Sequence, residues 1–150
     1  MYSKILVPLD GSPLAETSIR HIAIMVKDSP SSAVVLFRST DPIDAGVRQR
    51  LSAELAHQLE TAYLSEATQY LEQMKIRLRE MGINATTAIA TGPAGESILE
   101  YCADNEIDLI VMSSHGRTGL ARWAFGSITE KVLKQSDIPI LVIPHRGAQE

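Results

Sequence analysis

The fold turns on the stretch Asp108-Leu109-Ile110-Val111-Met112-Ser113-Ser114-His115-Gly116-Arg117-Thr118-Gly119-Leu120-Ala121-Arg122-Trp123-Ala124-Phe125-Gly126-Ser127. Asp108 to Met112 reads as a strand, continuously apolar after its acidic first residue. A glycine-punctuated loop follows, and beyond it Ile128, Val132 and Leu133 recur at helical spacing. Strand, glycine loop and helix start are the parts from which phosphate sites are made. Glycines let backbone amides approach an anion, and the first unbonded amides of a helix face it with a favourable dipole. Ser127 and Glu130 have capping-box spacing, which predicts Ser127 as the N-cap of the helix.

The same alternation runs outward from this stretch. Ile5-Leu6-Val7-Pro8-Leu9 is a buried strand closed by Asp10-Gly11-Ser12-Pro13, with Ser12 predicted as N-cap and Pro13 at the first helical position. Ala15, Ile19, Ile22, Ala23 and Val26 keep helical spacing until Ser29-Pro30. Ala33 to Phe37 is a second strand. The spacing of Leu51, Leu55, Leu59, Ala62, Tyr63, Ala67, Tyr70, Met74, Leu78 and Met81 predicts one helix over Val47 to Met81, ended by Gly82 in a left-handed conformation. Glu54, Glu60, Glu66, Glu72 and Arg79 form its opposite face, read as solvated. Ala85 to Ala90 is a weaker strand, a short helix carries Ala94, Ile98 and Cys102, and Ile138 to Ile143 is the last strand.

Strand and helix thus alternate about five times. Such alternation demands parallel strands joined by right-handed crossovers. The predicted fold is α/β: an open, doubly wound, parallel five-stranded sheet with helices on both faces, forming one domain over residues 1–150. In such sheets ligands bind beyond the carboxyl ends of the strands, where strand order reverses. If the first and fourth strands adjoin there, Asp10 and the glycine loop share one crevice.

A net charge of -4, with no basic run, argues against a nucleic-acid partner. No apolar run is long enough to span a bilayer, and the start reads as a strand and not a leader, so a soluble cytoplasmic protein is expected. Cys102 is the single cysteine, which excludes an internal disulfide and a multi-cysteine metal site; it reads as a small core residue. His21, His57 and His145 lack metal-ligand spacing, and no metal site is assigned. Neither G-x-x-x-x-G-K-[ST] nor a first-turn G-x-G-x-x-G is present.

These residues resemble the universal stress protein family over nearly the whole chain. Lys4-Ile5-Leu6-Val7-Pro8-Leu9-Asp10-Gly11-Ser12 is similar to that family's opening strand and acidic residue. Asp108 to Met112 with Ser114-His115-Gly116-Arg117 is similar to its fourth strand and loop, and Gly126-Ser127 and Pro139 to Pro144 complete the pattern. Nucleotide-binding members spell glycine, two residues, glycine, nine residues, then glycine with serine or threonine. Here Gly116 is the second glycine and Gly126-Ser127 the closing pair, while Ser113 stands at the first glycine.

The resemblance implies an adenine nucleotide alpha hydrolase-like domain that binds ATP, with Mg2+ as an optional companion. In that reading Asp10 takes ribose hydroxyls or supports the magnesium. Ser113, Gly116, Arg117, Gly126, Ser127 and Ile128 surround the phosphates, and Pro8, Leu9, Ser39 and Met112 line the adenine slot. His115 reads as structural, and Trp123 and Phe125 as anchors of the loop. The resemblance further implies a homodimer through Ile138 to Ile143, acting as a nucleotide-dependent stress-response switch on a protein partner it does not name. Two alternatives stay open: a dimeric interaction module without nucleotide, favoured by Ser113, and a slow ATP hydrolase. The hydrolase is the less supported, because the sequence offers no general-base pair or activated nucleophile.

Overall fold

The computed structural model describes residues 1–115 and 125–144. Its elements in chain order are β1 (Lys4–Pro8), α1 (Thr17–Val26), β2 (Ala33–Thr40), α2 (Ala45–Arg50), α3 (Ala53–Glu80), β3 (Ala85–Thr91), α4 (Ala94–Asp104), β4 (Leu109–Ser113), α5 (Ser127–Gln135) and β5 (Ile140–Ile143). The strands form one parallel sheet in the order β3-β2-β1-β4-β5. Chain order therefore reverses between β1 and β4, whose register pairs Ile5 with Leu109 and Leu6 with Ile110.

Two apolar layers cover the sheet. Ile5, Val7, Val34, Leu36, Leu109 and Val111 face α1 and α3, meeting Ile19, Ile22, Leu71, Met74 and Leu78. Leu6, Val35, Phe37, Ile110 and Met112 face the other way, onto Ile98, Cys102 and Val132 of α4 and α5. Neighbouring residues of a strand point to opposite faces, so burial on both sides requires the unbroken apolar runs. β5 departs from this: it is an edge strand, and only Ile143 is fully buried.

Several boundaries differ from the sequence expectation. The first helix begins at Thr17, not Pro13. Ser12 Oγ does accept from the Ala15 amide at 3.2 Å, but the chain from Pro13 to Glu16 winds as turns before α1 starts. The expected single helix over Val47 to Met81 is two. Leu51 is extended (ψ 147°), and Ser52, whose Oγ accepts from Leu55 N at 3.1 Å, caps α3. The apolar side of α3 is buried mainly in its second half, through Ala67, Leu71, Met74 and Leu78; in the first half Ala56 is buried while Leu55, Tyr63 and Leu64 lie exposed, as does Met81 at the C-cap. Gly82 ends α3 as expected, at φ +82°, and the Ile83 amide reaches back to the Leu78 carbonyl at 2.9 Å. Among the described residues no helix is long and apolar enough to cross a membrane.

Candidate functional site

A cavity of about 260 Å³ opens at the carboxyl ends of the strands, over the β1–β4 switch point. Pro8, Leu9 and Asp10 reach it from β1, Ser39 and Asp41 from β2, Met112 and Ser113 from β4, and Gly126, Ser127, Ile128 and Thr129 from the start of α5. Ala94 and Ile98 of α4 complete an apolar wall. Nine of the residues singled out from sequence thus meet around one space: Pro8, Leu9, Asp10, Ser39, Met112, Ser113, Gly126, Ser127 and Ile128. Gly116 and Arg117, with Trp123, lie outside the described residues. Phe125 is half exposed, so it does not anchor its loop in the core.

Each wall is held by its own local bonds. The Leu9 amide extends the β1–β2 ladder by donating to Phe37 O at 2.8 Å. Asp10 Oδ1 then accepts from the Ser12 amide at 2.8 Å, an Asx turn that bends the chain through Gly11 at φ +84°. Asp10 is half-buried, with its carboxylate tied into the turn at the cavity's edge. Ser39 Oγ donates to Gly92 O at 2.6 Å, which joins the end of β2 to the turn before α4.

At the β4–α5 side, Ser113 is buried at 6% exposure and its hydroxyl donates to His115 O at 2.7 Å. Its backbone lies outside the left-handed region that favours glycine, so the serine is accommodated without strain. Thr129 Oγ1 donates to Ser113 O at 3.0 Å and the Gly126 amide to Ser114 O at 2.8 Å, closing the loop's two ends together. Ser114 Oγ and His115 Nδ1 share a hydrogen bond at 3.0 Å.

The capping-box expectation fails here. Gly126 occupies the N-cap position, with no side-chain cap, and Ser127 is the first helical residue. Glu130 instead pairs with Lys134 one turn on, which holds its carboxyl below the usual range. The amides of Ser127, Ile128 and Thr129 have no intrahelical carbonyl to donate to, and the helix dipole makes that end positive. Carboxylates from Asp10 and Asp41 mark the opposite side, and no cationic side chain lines the cavity among the described residues. The site is therefore polarised: acidic at the β1 and β2 ends, anion-attracting at α5, apolar between.

Asp41, Ala94, Ile98 and Thr129 were not read from sequence as site residues. Asp41 carried the one usable signal, an acidic residue before Pro42 at the carboxyl end of a strand. Ala94 and Ile98 look from periodicity like ordinary core positions.

An open doubly wound α/β protein with a crevice at its switch point is the class defined by this fold. The chain belongs to the universal stress protein family, whose model matches residues 1–144. It is 30% identical over 160 residues to Universal stress protein MJ0577 of Methanocaldococcus jannaschii, an alignment covering 99% of this chain and 98% of the relative. The solved structure of MJ0577 superposes with a TM-score of 0.85 over 99% of both chains, at 31% identity. The fold is likewise that of universal stress protein UspA from Lactobacillus plantarum (TM-score 0.80, 23% identity, 95% of this chain and 97% of that one). It is also that of a universal stress protein family protein from Arabidopsis thaliana solved with AMP bound (TM-score 0.71, 17% identity, 97% and 93% covered).

Proposed function

We propose that the crevice is an adenine-nucleotide site and that the chain acts as a nucleotide-dependent switch in the stress response. The observation that carries this reading is the polarised cavity at the β1–β4 switch point, with an uncapped helix N-terminus facing it. The AMP-bound Arabidopsis relative supports the choice of nucleotide. Adenine lies between Pro8, Leu9, Ile98 and Met112 near Ser39, the ribose meets Asp10, and the phosphates meet Ser113, Gly126, Ser127 and Ile128, with Gly116 and Arg117 completing that end. ATP is the proposed ligand. Magnesium, where it takes part, arrives on the phosphates, because the cavity lining offers only the carboxylates of Asp10 and Asp41 and no group of three or more metal-ligating side chains occurs among the described residues.

A serine at position 113, where nucleotide-binding members have glycine, favours a module without nucleotide only if the side chain obstructs the site. The Ser113 hydroxyl is engaged by the His115 carbonyl and its backbone needs no glycine conformation, so a serine here is compatible with the nucleotide reading. In the proposed switch the single 150-residue domain is cytoplasmic and forms a homodimer through β5. Support for that interface is the strand's edge position and the 38% exposure of Leu141. The switch needs binding and not turnover.

Calorimetric titration with ATP and AMP, with and without Mg2+, tests the reading. Saturable binding at one nucleotide per chain is expected. Absence of measurable binding to either nucleotide at millimolar concentration overturns it.

A further inference from the structure

Arg38 precedes Ser39 in β2, and strand alternation turns the two side chains to opposite faces. Ser39 lines the crevice, whereas Arg38 enters the layer between the sheet and α3, where it is 5% exposed. A guanidinium in that position is costly to bury unless its donors are met. Glu66 meets them as a fork, with Nη1 to Oε1 at 3.1 Å and Nη2 to Oε2 at 2.9 Å, and the Tyr70 ring covers the cation at 5.0 Å. Tyr70 OH donates to Glu16 Oε1 at 3.4 Å, and Arg77 Nη1 to Glu16 Oε2 at 3.2 Å.

The guanidinium also lies near the turn that carries Asp10. A methyl group built on Gly11 would stand 3.4 Å from Arg38 Nη1 and 3.5 Å from its Cζ. The planar cation thus lies behind the turn, about one methyl group away from the backbone of Gly11, the residue next to the carboxylate at the mouth of the crevice. Tyr70 senses the same charges: burial chiefly, then Glu16 and Asp10, push its phenol well above the ordinary value, and Arg38 opposes them. The carboxylates of Asp10 and Glu16 thus act on the layer in which Arg38 is buried, while Glu66 reaches the guanidinium from its exposed side.

We infer that Arg38 is a positioning residue for Asp10: clamped by Glu66 and Tyr70, it backs the Asp10–Gly11 turn and sets the carboxylate that takes the ribose hydroxyls. This rests on the nucleotide reading above. An apolar side chain would fill the same volume with less desolvation, so packing alone does not account for a cation there. The arrangement also links the nucleotide site to α3, since the residue behind the turn is held by two α3 side chains.

The test compares AMP with 2′-deoxy-AMP by calorimetry in the parent, Asp10→Asn, Arg38→Met and the double variant. The parent is expected to prefer AMP by about tenfold, and each single variant to bring that ratio close to one. The double variant should lose no more than Asp10→Asn alone, because both substitutions remove one interaction. Circular dichroism shows whether Arg38→Met folds. If it does not, Glu66→Gln, at the exposed side of the fork, is read instead and should lower the ratio in the same direction. A ratio lost in Asp10→Asn but unchanged in Arg38→Met and Glu66→Gln overturns the inference and leaves the nucleotide site standing. A parent that binds neither nucleotide removes the site reading and the inference with it.

Discussion

Asp108 fastens the start of β1 to the end of the loop before β4: its Oδ2 accepts from the Ser3 amide at 2.7 Å and its Oδ1 from the Lys4 amide at 2.9 Å. Both bonds are charge-assisted and join residues about a hundred positions apart, so Asp108→Ala should cost about 2 kcal/mol of stability, measured by urea unfolding. Cys102 makes a second single-residue case. Burial pushes its thiol up to about 11, so the folded protein holds the proton in a range where the unfolded chain, near 9, releases it. The sign follows: this contribution is intact below pH 9 and is lost as pH rises towards 11, because the unfolded state then binds fewer protons. A thiol reagent at pH 8 should leave the native protein unmodified and label it fully in denaturant. Asp10→Ala should weaken nucleotide binding at least tenfold while circular dichroism stays that of the parent.

Among the elements, the apolar runs of β1 and β4 and the spacing of α1 and α4 were readable from residue order, because burial on both sheet faces admits no alternation. What residue order did not show was where the long helical pattern breaks. Leu51 fits the stripe perfectly well, and only Ser52, a serine whose hydroxyl competes for the backbone, marks the restart. Ser52→Ala should cost about 1 kcal/mol and speed hydrogen exchange in the first turn of α3. The largely exposed first half of that helix was invisible for a different reason. Periodicity reports which face is apolar, and not how far the sheet beneath it extends. Glu66 shows the converse: on a face read as solvated, it reaches a buried arginine. Around the crevice, Asp10 and the β4–α5 segment were legible by their places at strand ends, and Ser39 through the family resemblance. Arg38 was not, although an arginine directly after the apolar run Val34-Val35-Leu36-Phe37 is an anomaly that calls for a charge partner, which Glu66 supplies from the adjoining helix.

At the scale of the molecule, strand order concentrates function. Reversal between β1 and β4 opens the crevice, and the same order leaves β5 at an edge. If β5 is the dimer seam, Leu141→Arg should convert a dimer to a monomer in sedimentation while leaving nucleotide affinity within about twofold. A ligand that binds the folded chain alone stabilises it by about 2.7 kcal/mol at a hundred times its dissociation constant, so ATP should raise the unfolding temperature. The central claim is that the nucleotide occupies the switch-point crevice, and the most direct measurement is AMP titration into isotope-labelled protein followed by amide NMR. The account predicts that the largest shifts fall on Asp10, Ser39, Ser113, Ser127, Ile128 and Thr129. Shifts confined to residues away from the carboxyl ends of β1 and β4, or no shifts at saturating AMP, would contradict it.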